Sequence, residues 1–237
     1  MEAQRNTIDP HMEETQERRL HQMRIKWLGH ASFLITSADG MKIITDPYAT
    51  GMGIDYGEIQ ESADVVVVSH GHPDHNNVAA VKGAPETVSN PGTKTVKGIE
   101  FNGVPTFHDE DGGKQRGPNT VFTFAVDGVK VCFLGDLGHQ LTGEEAGLIG
   151  DVDLLLVPVG GFYTIDADNA TRVCATLKPK VILPMHCRTD KCQYPIAAVD
   201  EFLKGKEGVR HENTSEVEFT KERLPSTTEI VVLQHAL

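Results

Sequence analysis

With 237 residues, 39% of them hydrophobic and 24% charged, the chain can bury the core of one domain or of one compact pair of fused halves. Its formal net charge of -12 repels phosphate backbones and anionic headgroups, which argues against a generic binder of nucleic acid or membrane surfaces. No apolar run approaches the ~20 residues of a membrane span. The polar N-terminus has no apolar signal core, and Cys132, Cys174, Cys187 and Cys192 form no CxxC pair, so the expected location is cytoplasmic.

Residues 1–22 are polar and aperiodic and read as a disordered or appended extension, with His11 and His21 solvated. The domain proper is expected over 23–237. From Met23 the segment MRIKWLGHASFLITSADGMKIITDP reads as three short strands with a tight turn at Ala38-Asp39-Gly40. Asp64 to Ser69 (DVVVVS) is a continuous β-branched run, the signature of a strand buried on both faces. A helix is expected to begin over His75 to Val81. Short strands follow between Thr87 and Phe107. TVFTFAV and VKVCFL, joined by Asp127-Gly128, form a hairpin signal.

Beyond Leu134 strands and helices alternate. GEEAGLIG, ADNATRVCATLK and PIAAVDEFLK read as helices, and VDLLLVPVG, KVILPMH and TEIVVLQ as strands. Each half runs strands first and helices later. This predicts an α/β fold of two mixed sheets packed face to face with helices outside.

The chemistry concentrates in His70-Gly71-His72-Pro73-Asp74-His75, directly after the four-valine strand. Two histidines at i and i+2 point the same way on an extended chain, and a turn brings Asp74 and His75 to a neighbouring position. Imidazole and carboxylate suit zinc, iron, manganese or nickel. One ion needs three or four protein ligands, and further candidates stand where apolar strands stop: His108 after VPTF, Asp136 after VCFLG, and His186 after VILPM. Taken singly, each of the three is an ordinary loop residue. Together they complete two metal sites.

HGHPDH followed by His108, Gly135-Asp136 and His186 resembles the metallo-β-lactamase superfamily from about Met23 onward. WLGHASFLI, ITDPY, GGKQRGPNTVF, GDLGH and LPMH resemble the branch of metal-dependent hydrolases that includes ascorbate-6-phosphate lactonase-like proteins. The resemblance implies an αββα sandwich and a dinuclear centre, zinc foremost. It places His70, His72 and His108 on one ion, Asp74, His75 and His186 on the other, and Asp136 as a bridge. It further implies a metal-bridged hydroxide that attacks a small ester, lactone or phosphoester.

Outside that shell, His30 and His139 are candidate catalytic helpers, each with a structural alternative, and Asp74 is a ligand that also orients the nucleophile. Asp46 in ITDP reads as an outer acceptor for a ligating histidine. Arg116 and Asn119 either hold an anionic substrate group or belong to a solvated loop. Arg188 is a weaker candidate for the same task, and Tyr163 for lining the pocket. His211 and His235 read as surface residues, and Cys187 and Cys192 as two ordinary thiols of one loop. The rival activities are a nuclease or phosphodiesterase of the same fold acting on RNA or cyclic nucleotides, which the acidic charge disfavours, and a glyoxalase II-like thiolesterase. The expected partner is a small, anionic substrate; homo-oligomerisation is implied by the resemblance alone.

Overall fold

The computed structural model describes residues 22–237, so His11, His21 and all but the last residue of the expected extension lie outside the described residues. The first sheet contains β1 (Met23–Gly29), β2 (Ser32–Thr36), β3 (Lys42–Thr45), β4 (Val65–Val67), β5 (Glu86–Val88) and the later β13 (Glu216–Phe219), in the order β13-β1-β2-β3-β4-β5. The second contains β6 (Gly92–Val96), β7 (Ile99–Phe107), β8 (Pro118–Val126), β9 (Val129–Phe133), β10 (Leu154–Pro158), β11 (Val181–Met185), β12 (Val209–His211) and β14 (Glu229–Val232), in the order β12-β14-β11-β10-β9-β8-β7-β6. Both sheets are mixed: β3-β4-β5 and β9-β10-β11-β14-β12 run parallel, and the remaining pairs run antiparallel. This is the expected sandwich.

Side-chain alternation explains how the first sheet is covered on both faces. Ile25, Phe33, Ile35, Ile43, Val65 and Val67 join the large core shared with the second sheet. The alternate positions Leu34, Ile44, Val66 and Val68 join a smaller core with Tyr48, Tyr56 and Ile59. The valine run is therefore buried throughout, as its lack of polar alternation requires.

The helical layer is thinner than the sequence suggests. Helix α1 (Gly143–Ile149) opens on a capping box between Thr142 and Glu145 and packs on β7 and β8. Helix α2 (Ala167–Leu177) is capped by Asp166 and packs on β10. The helix expected over PIAAVDEFLK is confined to α3 (Val199–Leu203), because the Ala197 N–H is taken by Gly160 O and its carbonyl by Arg188 N. The helix expected after His75 is a single 3-10 turn, Val78–Ala80. There the backbone is diverted: Asn77 N donates to Pro47 O, and its side-chain amide to Tyr48 O. The outer face of the first sheet is consequently covered by the segment 46–63 and this turn, with no α-helix among the described residues. No helix among them is long and apolar enough to cross a membrane.

Phe133, the last residue of β9, is fully buried in the shared core just before the turn to Asp136. Phe133→Ala should cost about 3–5 kcal/mol and lower the thermal midpoint by about 6–20 °C for a domain of this size. Lys94→Ala on exposed β6 should shift it by less than about 2 °C. Thermal unfolding followed by circular dichroism checks both.

Candidate metal centre

Most of the sheet-borne candidates leave the ends of strands at one seam of the sandwich. The loops after β4, β9 and β11 supply His70 to His75, Asp136 and His186, all beyond the carboxyl ends of parallel strands, where open α/β sheets bind ligands. β7 supplies His108, and the irregular β1–β2 turn supplies His30.

Two imidazole clusters result. His70, His72 and His108 place ligand atoms within 4.8 Å of one another, and so do His30, His75 and His186. Asp136 stands between them: its Oδ2 lies 3.2 Å from His75 Nε2, 3.2 Å from His108 Nε2, 3.3 Å from His186 Nε2 and 4.0 Å from His70 Nε2. Asp74 Oδ2 approaches the second cluster, 3.5 Å from His30 Nε2 and 3.7 Å from His75 Nε2. All seven ligand candidates therefore converge. One residue moves relative to expectation: His30, placed outside the shell by the sequence reading, packs its ring 4.2 Å from His186 and 4.9 Å from His75 and stands among the ligand candidates.

The polar accounting fits a cation. His30 Nδ1 and Nε2, His75 Nε2 and Asp136 Oδ1 are buried with no hydrogen-bond partner among the described residues, whereas buried polar atoms otherwise find one. Burial, with His186 nearby, lowers the His30 pKa to about 3, and burial with His75 nearby lowers that of His70 to about 2. Both rings are thus neutral and offer lone pairs. Burial opposes the charge on Asp136, but His186 and His75 hold its pKa well below the usual range. His75 goes the other way: burial is outweighed by Asp136 and Asp46, which raise its pKa. A proton on its Nε2 stands where a cation would.

Supporting residues fix these groups. Asp46 accepts from His75 Nδ1 at 2.7 Å and from Ser69 N at 2.7 Å, and also from the Ser69 hydroxyl. This is the outer-acceptor role read from ITDP. Asn119, expected to hold an anionic substrate group or to lie in a solvated loop, is buried, donates to Thr106 Oγ1 and Leu134 O, and accepts from Asp136 N at 3.0 Å. With its amide fully spent, it positions Asp136 and does not reach substrate. His139 is likewise engaged at both nitrogens, accepting from Phe107 N at 3.1 Å and donating to Gln140 O at 2.9 Å. It braces the residue before His108 and has no free nitrogen to exchange a proton with substrate. Gly138 permits this close packing, since a Cβ there would meet the His108 carbonyl carbon at 2.2 Å.

A cavity of about 280 Å³ opens onto the centre, lined by His72, Asp74, Arg116, Tyr163 and Tyr194 among others. Arg116 stacks over the Tyr163 ring at 5.6 Å and has no carboxylate partner among the described residues. Tyr194, which the sequence did not single out, donates its hydroxyl to Asp74 Oδ2 at 3.4 Å. Arg188 lies elsewhere, in a separate cavity with Trp27 and Leu233. His211 is exposed on β12 as expected. His235 is not a free surface residue: it bonds to Asp190 Oδ1 and Leu237 O, and its ring lies 5.2 Å from Tyr56. Cys187 and Cys192 are buried free thiols.

Asp109 was also missed, although an Asp before a glycine-rich stretch is a loop-closing signal. Its carboxylate accepts four backbone N–H groups, from Asp111, Gly113, Gln115 and Arg116, at 2.8–2.9 Å, and so shapes the loop that presents Arg116.

Two mixed sheets with histidines and aspartates gathered at one seam define the metallo-β-lactamase type of hydrolase scaffold. A family model described as "Beta-lactamase superfamily domain" matches residues 24–186. A UPF0173 metal-dependent hydrolase of Archaeoglobus fulgidus is 32% identical over 197 residues, 70% of this chain and 84% of the relative. A crystal structure from Thermotoga maritima, assigned as a Zn-dependent hydrolase of the metallo-β-lactamase superfamily, is 39% identical, with a TM-score of 0.74 over 89% of this chain and 98% of that one. Igni18, a metallo hydrolase of Ignicoccus hospitalis, shares the fold at 24% identity and a TM-score of 0.62, over 84% of this chain and 98% of that one. The chain belongs to the metal-dependent hydrolases of the metallo-β-lactamase superfamily.

Burial pushes the Asp109 carboxyl up, but the N–H groups of Arg116, Gln115, Gly113 and Asp111 outweigh it and hold its pKa at about 2. A depressed pKa in the folded chain means that the loop is stabilised above the ordinary carboxyl value and loses that support as the pH falls through the folded one. Amide protection across 109–117, expressed relative to the intrinsic exchange rate at each pH, should therefore stay high at pH 5 and fall as the pH drops from about 4 towards 2. Asp109→Ala should show low protection at both pH values.

Proposed function

We propose that the chain is a dinuclear hydrolase, with zinc the foremost ion, that cleaves a small anionic lactone, ester or phosphoester. The observation that carries this reading is Asp136 set between two imidazole clusters at the floor of a cavity that also presents an unpaired arginine. His70, His72 and His108 would hold one ion, and His30, Asp74, His75 and His186 the other, with Asp136 shared. Manganese, iron or nickel also suit these donors. The ions supply Lewis acidity and an activated water.

The chain's own residues then account for binding and order. Arg116 offers a planar guanidinium to a carboxylate or phosphate, and its attraction is strengthened by the low-dielectric face of Tyr163. Asp74 is held ionised: burial raises its pKa, but His30 and His75 lower it more. Its carboxylate, steadied by Tyr194, can orient an attacking water by accepting its hydrogen bond. Tyr163 and Tyr194, with rings 5.5 Å apart, restrict water on one side. The cavity and the net charge favour a small molecule over RNA, and the motifs shared with lactonase-like proteins put lactones and phosphoesters first. The acidic surface and the reduced thiols accord with a cytoplasmic setting.

Asp136→Ala should lose bound metal on elemental analysis and at least about 100-fold in kcat/KM, read against a panel of lactones, phosphodiesters and glutathione thioesters. Unchanged metal content and turnover would end this reading, and preference for the thioester would transfer it to thiolesterase chemistry. Arg116→Ala should raise KM for anionic substrates by about 10–100-fold and leave neutral ones near wild type. Equal effects on both would remove Arg116 from the substrate site.

A further inference from the structure

Four large apolar side chains are exposed among the described residues: Met52, Phe107, Leu148 and Phe162. Three of them belong to segments that build the wall of the catalytic cavity. Phe107 precedes His108. Phe162 precedes Tyr163, and their rings lie 4.8 Å apart. Met52 precedes Gly53, which lies against the Tyr194 ring and whose carbonyl accepts from Gln193 N at 2.9 Å.

Two of the three are also strained. Phe162 is 64% exposed at φ 63°, and Met52 is 81% exposed at φ 52°. Left-handed backbone is costly for any side chain with a Cβ and is glycine's natural place. Glycines flank both positions, as Gly161-Phe162 and Gly51-Met52-Gly53. These loops thus hold bulky apolar side chains where the fold would prefer none and where burial returns nothing. Such outliers gather at ligand clamps.

The cavity gives the reason. At about 280 Å³ it falls just below the usual range of small-molecule sites, so it takes the reacting end of a substrate and leaves the remainder on the rim. Beside it stand the exposed side chains of Phe162 and Met52, and one cation lies over the Tyr163 ring. Resting on the hydrolase reading above, we infer that the substrate is an amphiphilic anion. Its charged group pairs with Arg116, and its apolar arm, acyl or aryl, runs out over Tyr163 onto Phe162, with Met52 flanking on the Tyr194 side.

The test uses binding, not turnover. Methyl-, butyl- and hexylphosphonate are titrated calorimetrically into the metal-loaded wild type and into Phe162→Gly and Met52→Gly/Phe162→Gly. Both substitutions relieve the left-handed strain, so thermal midpoints should equal or exceed the wild type's and exclude misfolding as a cause. Wild-type affinity should rise about 2- to 4-fold per added methylene. The glycine variants should bind all three probes about as weakly as wild type binds methylphosphonate. Binding without chain-length dependence in wild type, or an unchanged dependence in both variants, overturns the inference while leaving the hydrolase reading intact. Failure of every probe to bind removes both. A flat dependence together with self-association that Phe162→Gly abolishes assigns the rim to a second copy of the chain and overturns the inference.

Discussion

Everything at this seam answers to one constraint, the burial of the Asp136 carboxylate among imidazoles. An unpaired charge removed from water is too costly to keep. Here three Nε2 atoms lie within 3.3 Å of one of its oxygens, while the other oxygen has no hydrogen-bond partner among the described residues. A proton on His75 can balance the charge only partly. A bound cation would balance it further and would give orphaned atoms such as His75 Nε2 and Asp136 Oδ1 a partner. Metal binding at this seam would therefore also stabilise the fold.

Holding that arrangement ready has a cost, visible in the backbone. His30, Asp46 and His186 all adopt positive φ, at 51°, 30° and 47°, in a region that L-residues avoid. Strain of this kind persists only where the surroundings over-determine it. The surroundings do so through short polar residues committed to their neighbours. Asp46 ties the end of β4 to His75, Asn119 ties β8 to Asp136, His139 braces the end of β7, and His186 N donates to His30 O. The two sheets on either side contribute cores that are almost wholly buried. Rigid sheets and committed polar residues keep the donors placed before any ion arrives, which lowers the reorganisation needed on binding.

How much of this was legible in the sequence follows from what each signal depends on. The convergence of these histidines and aspartates was readable because such residues at strand ends have few structural uses, and because HGHPDH packs four of them into six residues. The valine run and the Asp127-Gly128 hairpin were readable because they are local. The thin helical layer was not, because the helix after His75 fails on tertiary grounds: Asn77 gives its hydrogen bonds to Pro47 and Tyr48. Strands β12 and β13 are three and four residues long, too short for an alternation such as Glu-Val-Glu-Phe to mark a strand. Asn119 and His139 show a further limit. Sequence places a polar residue near a site but does not say whether its hydrogen bonds point at substrate or back into the scaffold. His30 errs in the opposite direction, since only the folded chain brings its turn against His75 and His186.

The electrostatics assign different tasks to different parts of the cavity. A chain with net charge -12 repels an anionic substrate at long range, so the attraction has to be local. In the proposed reading Arg116 would provide it, held out by a loop that Asp109 closes through four backbone hydrogen bonds. Half-buried at the cavity, its planar guanidinium would supply both orientation and affinity for an anionic group. The aromatic wall works by a force that salt does not screen, the removal of apolar surface from water. With Arg116 stacked on Tyr163, the two forces act on adjoining parts of one molecule. In that reading a substrate lacking either part would lose orientation or affinity, so the donor cluster beneath would meet chiefly molecules that carry both.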